Sequence, residues 1–232
     1  MKIKLICCIG LDYDLNLIPH FTKHYSKYNI NSYHFILNKS NEFIITDYLK
    51  YFNNLHPTEI TFEKWVGEFN AIDKIDKLNN IIQNSQESHI LLTDVDEFQN
   101  HKKIIKGNYI WGDLVDRETE DGLVREINSG NIQKQFPIKS KKSDWNNTIK
   151  PCVFPSTERL KTSHYITTSY SGEPTIDVDH YRWTNTRLEK SKNRYDIYTR
   201  LNKEGKTFNG GGILDTLDSL KIINELKPKS NI

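Results

Sequence analysis

The chain has 232 residues and a net charge of +2; 36% of its residues are hydrophobic and 11% are aromatic. This composition indicates a globular fold with a core of its own and excludes an intrinsically disordered chain. The nearly neutral charge, without a dense Lys/Arg stripe, argues against nucleic acid as a partner, and no stretch approaches the roughly 20 apolar residues of a membrane span.

The N-terminal part of the chain alternates predicted strands with predicted helices. The strands are predicted at Lys4–Ile9, Tyr33–Leu37, Glu59–Trp65 and His89–Thr93. The first helix is expected to be capped by Asn16 and to carry Pro19 in its first turn. Two further helices are marked by apolar residues at helical spacing, namely Ile44, Ile45, Tyr48, Leu49 and Phe52, then Phe69, Ile72, Ile75, Leu78 and Ile82. This order predicts an α/β fold with a mostly parallel sheet covered by helices on both faces.

The rest of the chain has a weaker pattern. Short strands are predicted at Tyr109–Arg117, Ile149–Phe154, His164–Thr168 and Thr175–His180. A long polar loop is expected at Glu118–Asn147. Two helices are expected after the last of these strands, at Thr186–Leu201 and Leu214–Leu226. We therefore predict a single domain over 1–232, with residues 1–100 as one half, 101–204 as an irregular second half and 205–232 as a C-terminal helix.

Two carboxylates, Asp94 and Asp96, directly follow the fourth predicted strand. Open α/β sheets bind ligands beyond the carboxyl ends of their strands. Hard divalent cations take oxygen ligands there, often from one or two carboxylates plus substrate phosphates. The pattern predicts a site for a metal ion that carries a diphosphate, although such a pair can also serve only to cap the following turn.

The run from Leu92 to Phe98, LTDVDEF, resembles the DxD segment of GT-A-fold glycosyltransferases, above all family-2-like and family-92-like enzymes that include chlorovirus capsid-glycosylating enzymes. Further similar segments follow in the family's order over about residues 1–200: Asp14–Tyr28, Trp111–Arg117 with Asp121 and Gly122, and His180–Trp183. The resemblance implies a GT-A-like, Rossmann-like fold. It also implies transfer of a sugar from a nucleoside-diphosphate sugar, most of all a UDP-sugar, to a hydroxyl of a glycan or glycoprotein.

The resemblance further implies a divalent metal, Mn²⁺ or Mg²⁺, that bridges the two phosphates of the donor. Asp96 would bind this metal directly, Asp94 would face the ribose or the water shell of the metal, and His180 would supply a third ligand. Because imidazole is a poor ligand for Mg²⁺, a histidine here favours Mn²⁺. A hydrogen-bonded histidine at a strand end is the alternative for His180. Arg182, which follows closely, would help to hold the diphosphate.

Residues after the first three strands are candidates for recognising the base. Gly10, Asp12 and Asn38 are expected to approach it, because the carboxyl ends of parallel strands share one edge of the sheet. Trp65 would pack on the base or the ribose, unless it belongs to the core. Lys77, on the third predicted helix, would reach a phosphate or the base.

Asp113 and Asp116 are candidates for the chemistry at the acceptor. A carboxylate on this strand could orient sugar hydroxyls or act as a general base on the acceptor hydroxyl. Asp116 could instead form a structural ion pair with Arg117. His164 could line the acceptor side, although a position in the core suits it better.

Two other functions fit parts of this pattern. Phosphatases and phosphotransferases of the haloacid-dehalogenase type also use an Asp-x-Asp, but after the first strand of the domain and not followed by a residue such as Glu97. A non-catalytic glycan- or nucleotide-binding module on the same fold is the second alternative.

The odd number of cysteines, Cys7, Cys8 and Cys152, matches no zinc spacing and favours a reducing compartment, so we expect a soluble, cytoplasmic protein.

Overall fold

The computed structural model describes residues 1–55, 59–102, 104–140, 148–162, 164–169 and 173–205. They divide into two compact units: the first contains the described residues of 1–115 and 148–180, and the second those of 116–140 and 181–205. The predicted single domain over 1–232, with halves that meet at residue 100, stays a prediction. The last predicted helix, Leu214–Leu226, lies outside the described residues.

Helices and strands follow one another in this order: β1 (Ile3–Gly10), α1 (Ile18–Tyr25), β2 (Ser32–Lys39), β3 (Glu59–Val66), α2 (Ala71–Gln83), β4 (His89–Asp94), β5 (Glu97–Gln99), β6 (Ile110–Glu118), α3 (Ile132–Gln135), β7 (Ile138–Ser140), β8 (Ile149–Pro155), β9 (Leu160–Thr162), β10 (Tyr165–Ile166), β11 (Ile176–His180) and α4 (Arg187–Lys203). Two 3₁₀ segments, Leu15–Leu17 and Ile45–Phe52, precede α1 and β3.

A side chain caps the N-terminus of α2, whereas the cap predicted for α1 is not formed. The side chain of Asn70 caps α2 by accepting a hydrogen bond of 2.8 Å from the backbone N–H of Asp73. Asn16 was predicted to cap α1, but it lies inside the preceding 3₁₀ turn, and α1 begins after Leu17 without a side-chain cap. Pro19 lies in the first turn of α1, as predicted, where its missing N–H has no intrahelical partner to lose.

The main sheet of the described residues has the strand order β3-β2-β1-β4-β8-β6-β11-β5. Strands β1 to β4 pair in parallel, whereas β8 pairs antiparallel with both β4 and β6, and β11 pairs antiparallel with β5. The parallel part is joined by helical segments, as a βαβ series requires. The predicted α/β class, with parallel strands flanked by helices, is confirmed.

The core of the first unit lies on both faces of the central strands. Strand β1 is almost continuously apolar and buried, which is typical of a parallel strand covered on both sides. Helix α2 buries Ile75, Leu78 and Ile82 in a cluster that also contains Ile36 and Leu92. This packing sets the position of α2 beside the end of β4.

A glycine on β6 allows three strands to approach closely. A Cβ at Gly112 would overlap the side chains of Val178 on β11 and Cys152 on β8. Only the absence of a side chain at this position permits the observed spacing of β6, β8 and β11. Because β11 ends at His180, Gly112 contributes to the placement of that histidine.

The second unit contains the end of β6, with α3, β7 and α4. Residues 116–118 of β6 pair antiparallel with β7, so the region predicted as a loop at Glu118–Asn147 contains a short helix and a strand. Phe136 and Tyr181 pack edge to face, with ring centroids 6.0 Å apart. Within the described residues, no helix combines the length and apolar character that a bilayer crossing requires.

Candidate functional site

The strand order reverses direction between β1 and β4. From β1 the chain proceeds to β2 and β3 on one side, and then returns to place β4 on the other side of β1. Ligands of doubly wound sheets bind beyond the carboxyl ends of the strands at such a switch point. The register brings the candidate residues to that edge: Cys8 lies opposite Asp94, Gly10 opposite Asn38, and Asn38 opposite Trp65.

The turn that carries Asp94 and Asp96 is held by hydrogen bonds from its own flanks and from α1. The backbone N–H of Asp94 donates to Oε2 of Glu97 over 2.9 Å. The hydroxyls of Thr93 and Tyr25 each donate to the carbonyl of Glu97 over 3.0 Å. Asp94 ends β4 and Glu97 begins β5, so these bonds fix the short segment on which both acids lie.

Beneath this turn lies a buried ion pair. Nζ of Lys150, on β8, lies 2.5 Å from Oε2 of Glu97, and the two side chains are only 3% and 4% exposed. Burial acts to lower the pKa of Lys150, but the Glu97 carboxylate outweighs it and raises that pKa above its ordinary value. Glu97 therefore stabilises the turn that carries Asp94 and Asp96.

A second lysine engages the first acid of the pair. Lys74, buried at the start of α2, places its Nζ 2.5 Å from Oδ1 of Asp94. Burial acts to raise the pKa of Asp94, but the cations of Lys74 and Lys150 outweigh it and lower the pKa to about 2. Burial likewise acts to lower the pKa of Lys74, and the Asp94 carboxylate raises it instead. Both groups of this pair are therefore charged at neutral pH.

The second acid of the pair meets His180. Strands β5 and β11 pair antiparallel with Glu97 opposite His180, which brings Nε2 of His180 to 3.6 Å from Oδ2 of Asp96. Two donor atoms that share one small cation at about 2.1 Å each lie between about 3 and 4 Å apart, depending on the angle at the cation. The spacing of Asp96 and His180 therefore fits a shared divalent ion.

The predicted set of three metal ligands is not assembled as a cluster. Among the described residues, no group of three or more His, Cys, Asp and Glu side chains is arranged to hold a metal ion. The Asp94 carboxylate is directed to Lys74, and the metal-binding roles of Asp94, Asp96 and His180 stay predictions. The arrangement fits a site with two protein ligands, Asp96 and His180, completed by oxygen atoms of a substrate.

Residues predicted to approach the base lie at the edge that the site requires. Asn38 is buried, and its Nδ2 donates to the carbonyls of Trp65 and Gly67 over 3.2 and 3.0 Å. Asp12 accepts a hydrogen bond of 2.9 Å from the backbone N–H of Ser40. Burial opposes ionisation of Asp12, but its bonds to Ser40 outweigh that effect and lower its pKa.

Trp65 and Lys77 are engaged in the fold itself. The Trp65 side chain belongs to the core cluster beside α2, with its ring 5.5 Å from that of Phe69. Nζ of Lys77 lies 2.7 Å from Oε1 of Glu63 and 5.8 Å from the centroid of the Trp65 ring. Trp65 thus packs in the core, which was the alternative to its predicted place on the base or ribose. Binding of a nucleotide by Trp65 or Lys77 stays a prediction.

The remaining predicted residues are placed as follows. Asp113 is half-buried on β6, opposite Ile149 in the first unit. Asp116 and Arg182 belong to the second unit, where both are buried around Trp183. The indole N–H of Trp183 donates to Oδ2 of Asp116 over 3.0 Å, and the guanidinium of Arg182 lies 4.9 Å from the Trp183 ring. Their catalytic and phosphate-binding roles stay predictions.

Sequence reasoning missed the two lysines that shape the site. Lys150 stands in the strand sequence IKPCVFP, and a lysine inside a predicted buried strand is a usable signal for a buried ion pair. Lys74 gives no comparable signal, because its helix also carries Lys77 at similar spacing. Only the packing of α2 against β4 distinguishes the two.

The chain matches no protein-family model, and no curated protein matches its sequence. Its structure is similar to HddC from Yersinia pseudotuberculosis, with a TM-score of 0.36 and 9% identity over 51% of this chain and 60% of that one. It is also similar to TarS from S. aureus, with a TM-score of 0.38 and 10% identity over 97% and 43%. A third similar structure is the mannosyltransferase PcManGT from Pyrobaculum calidifontis in complex with GDP-Man and Mn²⁺, with a TM-score of 0.42 and 10% identity over 97% and 73%.

The chain thus spans 60% of the length of HddC and 43% of that of TarS.

Proposed function

We propose that this chain is a metal-dependent glycosyltransferase that moves a sugar from a nucleoside-diphosphate sugar, most of all a UDP-sugar, to a hydroxyl of a glycan or glycoprotein. The observation that carries the proposal is the contact between Asp96 and His180 at the carboxyl end of β4. The two residues are far apart in the sequence, yet the pairing of β5 with β11 brings their side chains together next to the switch point of the sheet.

The charges around this contact support a cation in particular. Lys74 and Lys150 balance Asp94 and Glu97 in two ion pairs. Asp96 adds a third carboxylate at this turn, beside His180. A divalent ion would find carboxylate oxygens there and, when bound, would neutralise the charge that develops on the departing nucleoside diphosphate. A histidine ligand favours Mn²⁺ over Mg²⁺.

The edge of the sheet suits a nucleotide. The carboxyl ends of β1 and β2 present Gly10, Asp12 and Asn38 within the same unit as the acids, and parallel sheets bind nucleotides at such ends. Lys74, which is ion-paired with Asp94, is the cation of this site that would hold the diphosphate. The base would then lie over β1 and β2, with its diphosphate directed toward β4.

Chemistry of the haloacid-dehalogenase type is the alternative that shares the Asp-x-Asp pattern. That chemistry needs the acids after the first strand, whereas Asp94 and Asp96 follow β4. Its nucleophile would be Asp94, which is ion-paired with Lys74. A phosphoaspartate trapped at Asp94 would support that alternative and contradict ours.

A thermal-shift panel tests the proposal directly. The protein is heated with UDP-, GDP- and dTDP-linked sugars, each with and without Mn²⁺. Ligands that bind the native state raise the unfolding temperature, so one class of sugar nucleotide should stabilise the protein only when Mn²⁺ is present. A panel without any Mn²⁺-dependent stabilisation would contradict the proposal. Hydrolysis of the stabilising sugar nucleotide then separates an enzyme from a binding module.

A further inference from the structure

A short hairpin, β9 and β10, is fixed onto α2 beside the candidate site. The side chain of Asn79 on α2 donates to the carbonyl of Leu160 over 3.0 Å and accepts from the backbone N–H of Leu160 over 2.8 Å. Leu160 and Ile166 are buried in the same core cluster as the inner face of α2. The base of the hairpin is closed by the N–H of Thr167, which donates to the carbonyl of Arg159 over 2.9 Å.

His164 lies between the two strands of this hairpin. Its backbone N–H donates to the hydroxyl of Thr162 over 3.1 Å, which holds the turn. Its Nδ1 is buried and has no hydrogen-bond partner within the described ranges. Such a nitrogen costs about 1 to 3 kcal/mol to leave unsatisfied, so a buried imidazole of this kind calls for a partner outside the chain.

The surroundings of His164 are the charged groups of the candidate site. Its imidazole interacts electrostatically with Lys150, Asp94, Lys74 and His180. Burial, helped by the charges of Lys150 and Lys74 and opposed by Asp94, lowers the pKa of His164 to about 4. The ring is therefore neutral at physiological pH, with one nitrogen that donates and one that accepts a hydrogen bond.

A neutral imidazole suits an uncharged hydroxyl better than a phosphate. The cations of this group, Lys74 and Lys150, are the complementary partners for a diphosphate, whereas His164 adds no charge. A sugar attached to the diphosphate offers several hydroxyls that both donate and accept. The hairpin that carries His164 packs on α2, the helix of Lys74, in a core cluster that also contains Leu92 of β4. A sugar attached to a diphosphate bound at Lys74 would therefore begin beside this hairpin.

We propose that His164 is a positioning residue for the transferred sugar, binding one of its hydroxyl groups through Nδ1. This inference rests on the proposed function and adds a role for a residue of the β9–β10 hairpin. It accounts for a buried polar atom that the fold leaves without a partner in the described part of the chain.

The test compares the affinities for two ligands that differ only in the sugar. Binding of UDP, GDP and the corresponding UDP- and GDP-hexoses in the presence of Mn²⁺ is measured by calorimetry for the wild type and for His164→Ala. The variant should bind the nucleoside diphosphate like the wild type but the sugar nucleotide about tenfold more weakly, which corresponds to the loss of one hydrogen bond. A purely structural role would weaken both ligands equally.

Two further variants keep the test decisive. His164→Asn retains a donor and an acceptor near the position of Nδ1 and should recover part of the lost affinity. His89→Ala removes another histidine with a buried ring nitrogen without a hydrogen-bond partner in the described residues, but at the start of β4, the opposite end of the strand from Asp94. This His89→Ala variant should change neither the affinity for the nucleoside diphosphate nor that for the sugar nucleotide.

The outcomes separate the two proposals. If the wild type binds a hexose nucleotide in a Mn²⁺-dependent manner and His164→Ala binds it equally well, the role of His164 is wrong while the proposed function stands. Equal weakening of both ligands also overturns that role. If the wild type binds no sugar nucleotide, the proposed function is wrong and the role of His164 falls with it.

Discussion

Lys150 and Glu97 form an ion pair of 2.5 Å inside the first unit, directly beneath the turn that carries the two aspartates. Glu97 also accepts the backbone N–H of Asp94 at the same carboxylate oxygen, Oε2. One buried carboxylate thus satisfies a lysine and closes the acidic turn. The residue that follows the DxD pattern therefore contributes to the site through its support of the backbone.

Glu97→Gln should strongly destabilise the protein. Removing one partner of a buried ion pair leaves the other charge uncompensated, and such changes cost about 3 to 5 kcal/mol of unfolding free energy. The matched control is Glu42→Gln, which breaks the exposed pair with Lys64 and should cost less than about 1 kcal/mol. Urea unfolding of both variants measures the difference, and similar losses for the two would contradict the structural role of Glu97.

Asp96→Ala should abolish transfer while leaving the fold intact. Asp96 lies on the turn and contacts His180, so its removal takes one of the two ligands from the proposed cation. Loss of metal assistance worth several kcal/mol corresponds to a decrease of about a hundredfold or more in turnover. Asp76→Asn, on the exposed face of α2, is the control and should leave turnover unchanged. Wild-type transfer by Asp96→Ala would remove the basis of the proposed function.

Gly112→Ala should destabilise the first unit and disturb His180. The added methyl group would overlap Val178 and Cys152, and overpacking of this kind costs about 1 to 3 kcal/mol. Val178→Ala in the same chain makes room for the methyl group, so the double variant should be more stable than the sum of the single losses predicts. Denaturant unfolding of the single and double variants measures this coupling. Strictly additive losses would show that the contact between residues 112 and 178 is not the cause of the lost stability.

Much of the parallel half of the fold could be predicted from the sequence. Strands such as β1 and β4 are buried on both faces, so they read as short apolar runs bounded by polar residues. The place of Asp94 at the end of β4 followed from the same run. These features depend on local composition, which the sequence displays directly.

Other features depend on tertiary contacts and could not be predicted. Residues Ile45–Phe52 show a helical pattern of apolar side chains but form a 3₁₀ helix, a difference that apolar spacing over two turns does not resolve. The pairing of Lys74 with Asp94 depends on how α2 packs, and the contact of Asp96 with His180 depends on the register of β11. The position of His164 depends on the β9–β10 hairpin, which Asn79 fixes to α2.

Acid should destabilise the protein through two histidines beside β5, the buried His24 and the half-buried His101. His24 donates from Nε2 to the carbonyl of Gln99 over 2.9 Å, and Nε2 of His101 lies 2.7 Å from Oε1 of the same residue. Burial is the main cause that lowers the pKa of each to about 4. For His24 the charge of Lys27 acts in the same direction, while the bond to Gln99 and the charge of Asp179 oppose the shift.

The direction in which stability changes with pH follows from the ordinary histidine pKa of about 6.5 in the unfolded chain. Between about pH 6.5 and 4 the unfolded state binds protons that the folded state does not, so stability is fully present above that range and falls as the pH decreases through it. For His24 the loss is on the order of 2 to 3 kcal/mol.

His24→Phe should therefore flatten the dependence of unfolding free energy on pH between 6.5 and 4, because the aromatic ring remains and the titrating group is gone. Tyr33→Phe is the control, because the raised pKa of Tyr33, about 12, lies outside this range, so the variant should leave the slope as in the wild type. Urea unfolding at a series of pH values measures each slope. An unchanged slope for His24→Phe would show that His24 is not the group whose protonation unfolds the protein, since no other titrating residue is altered in that variant.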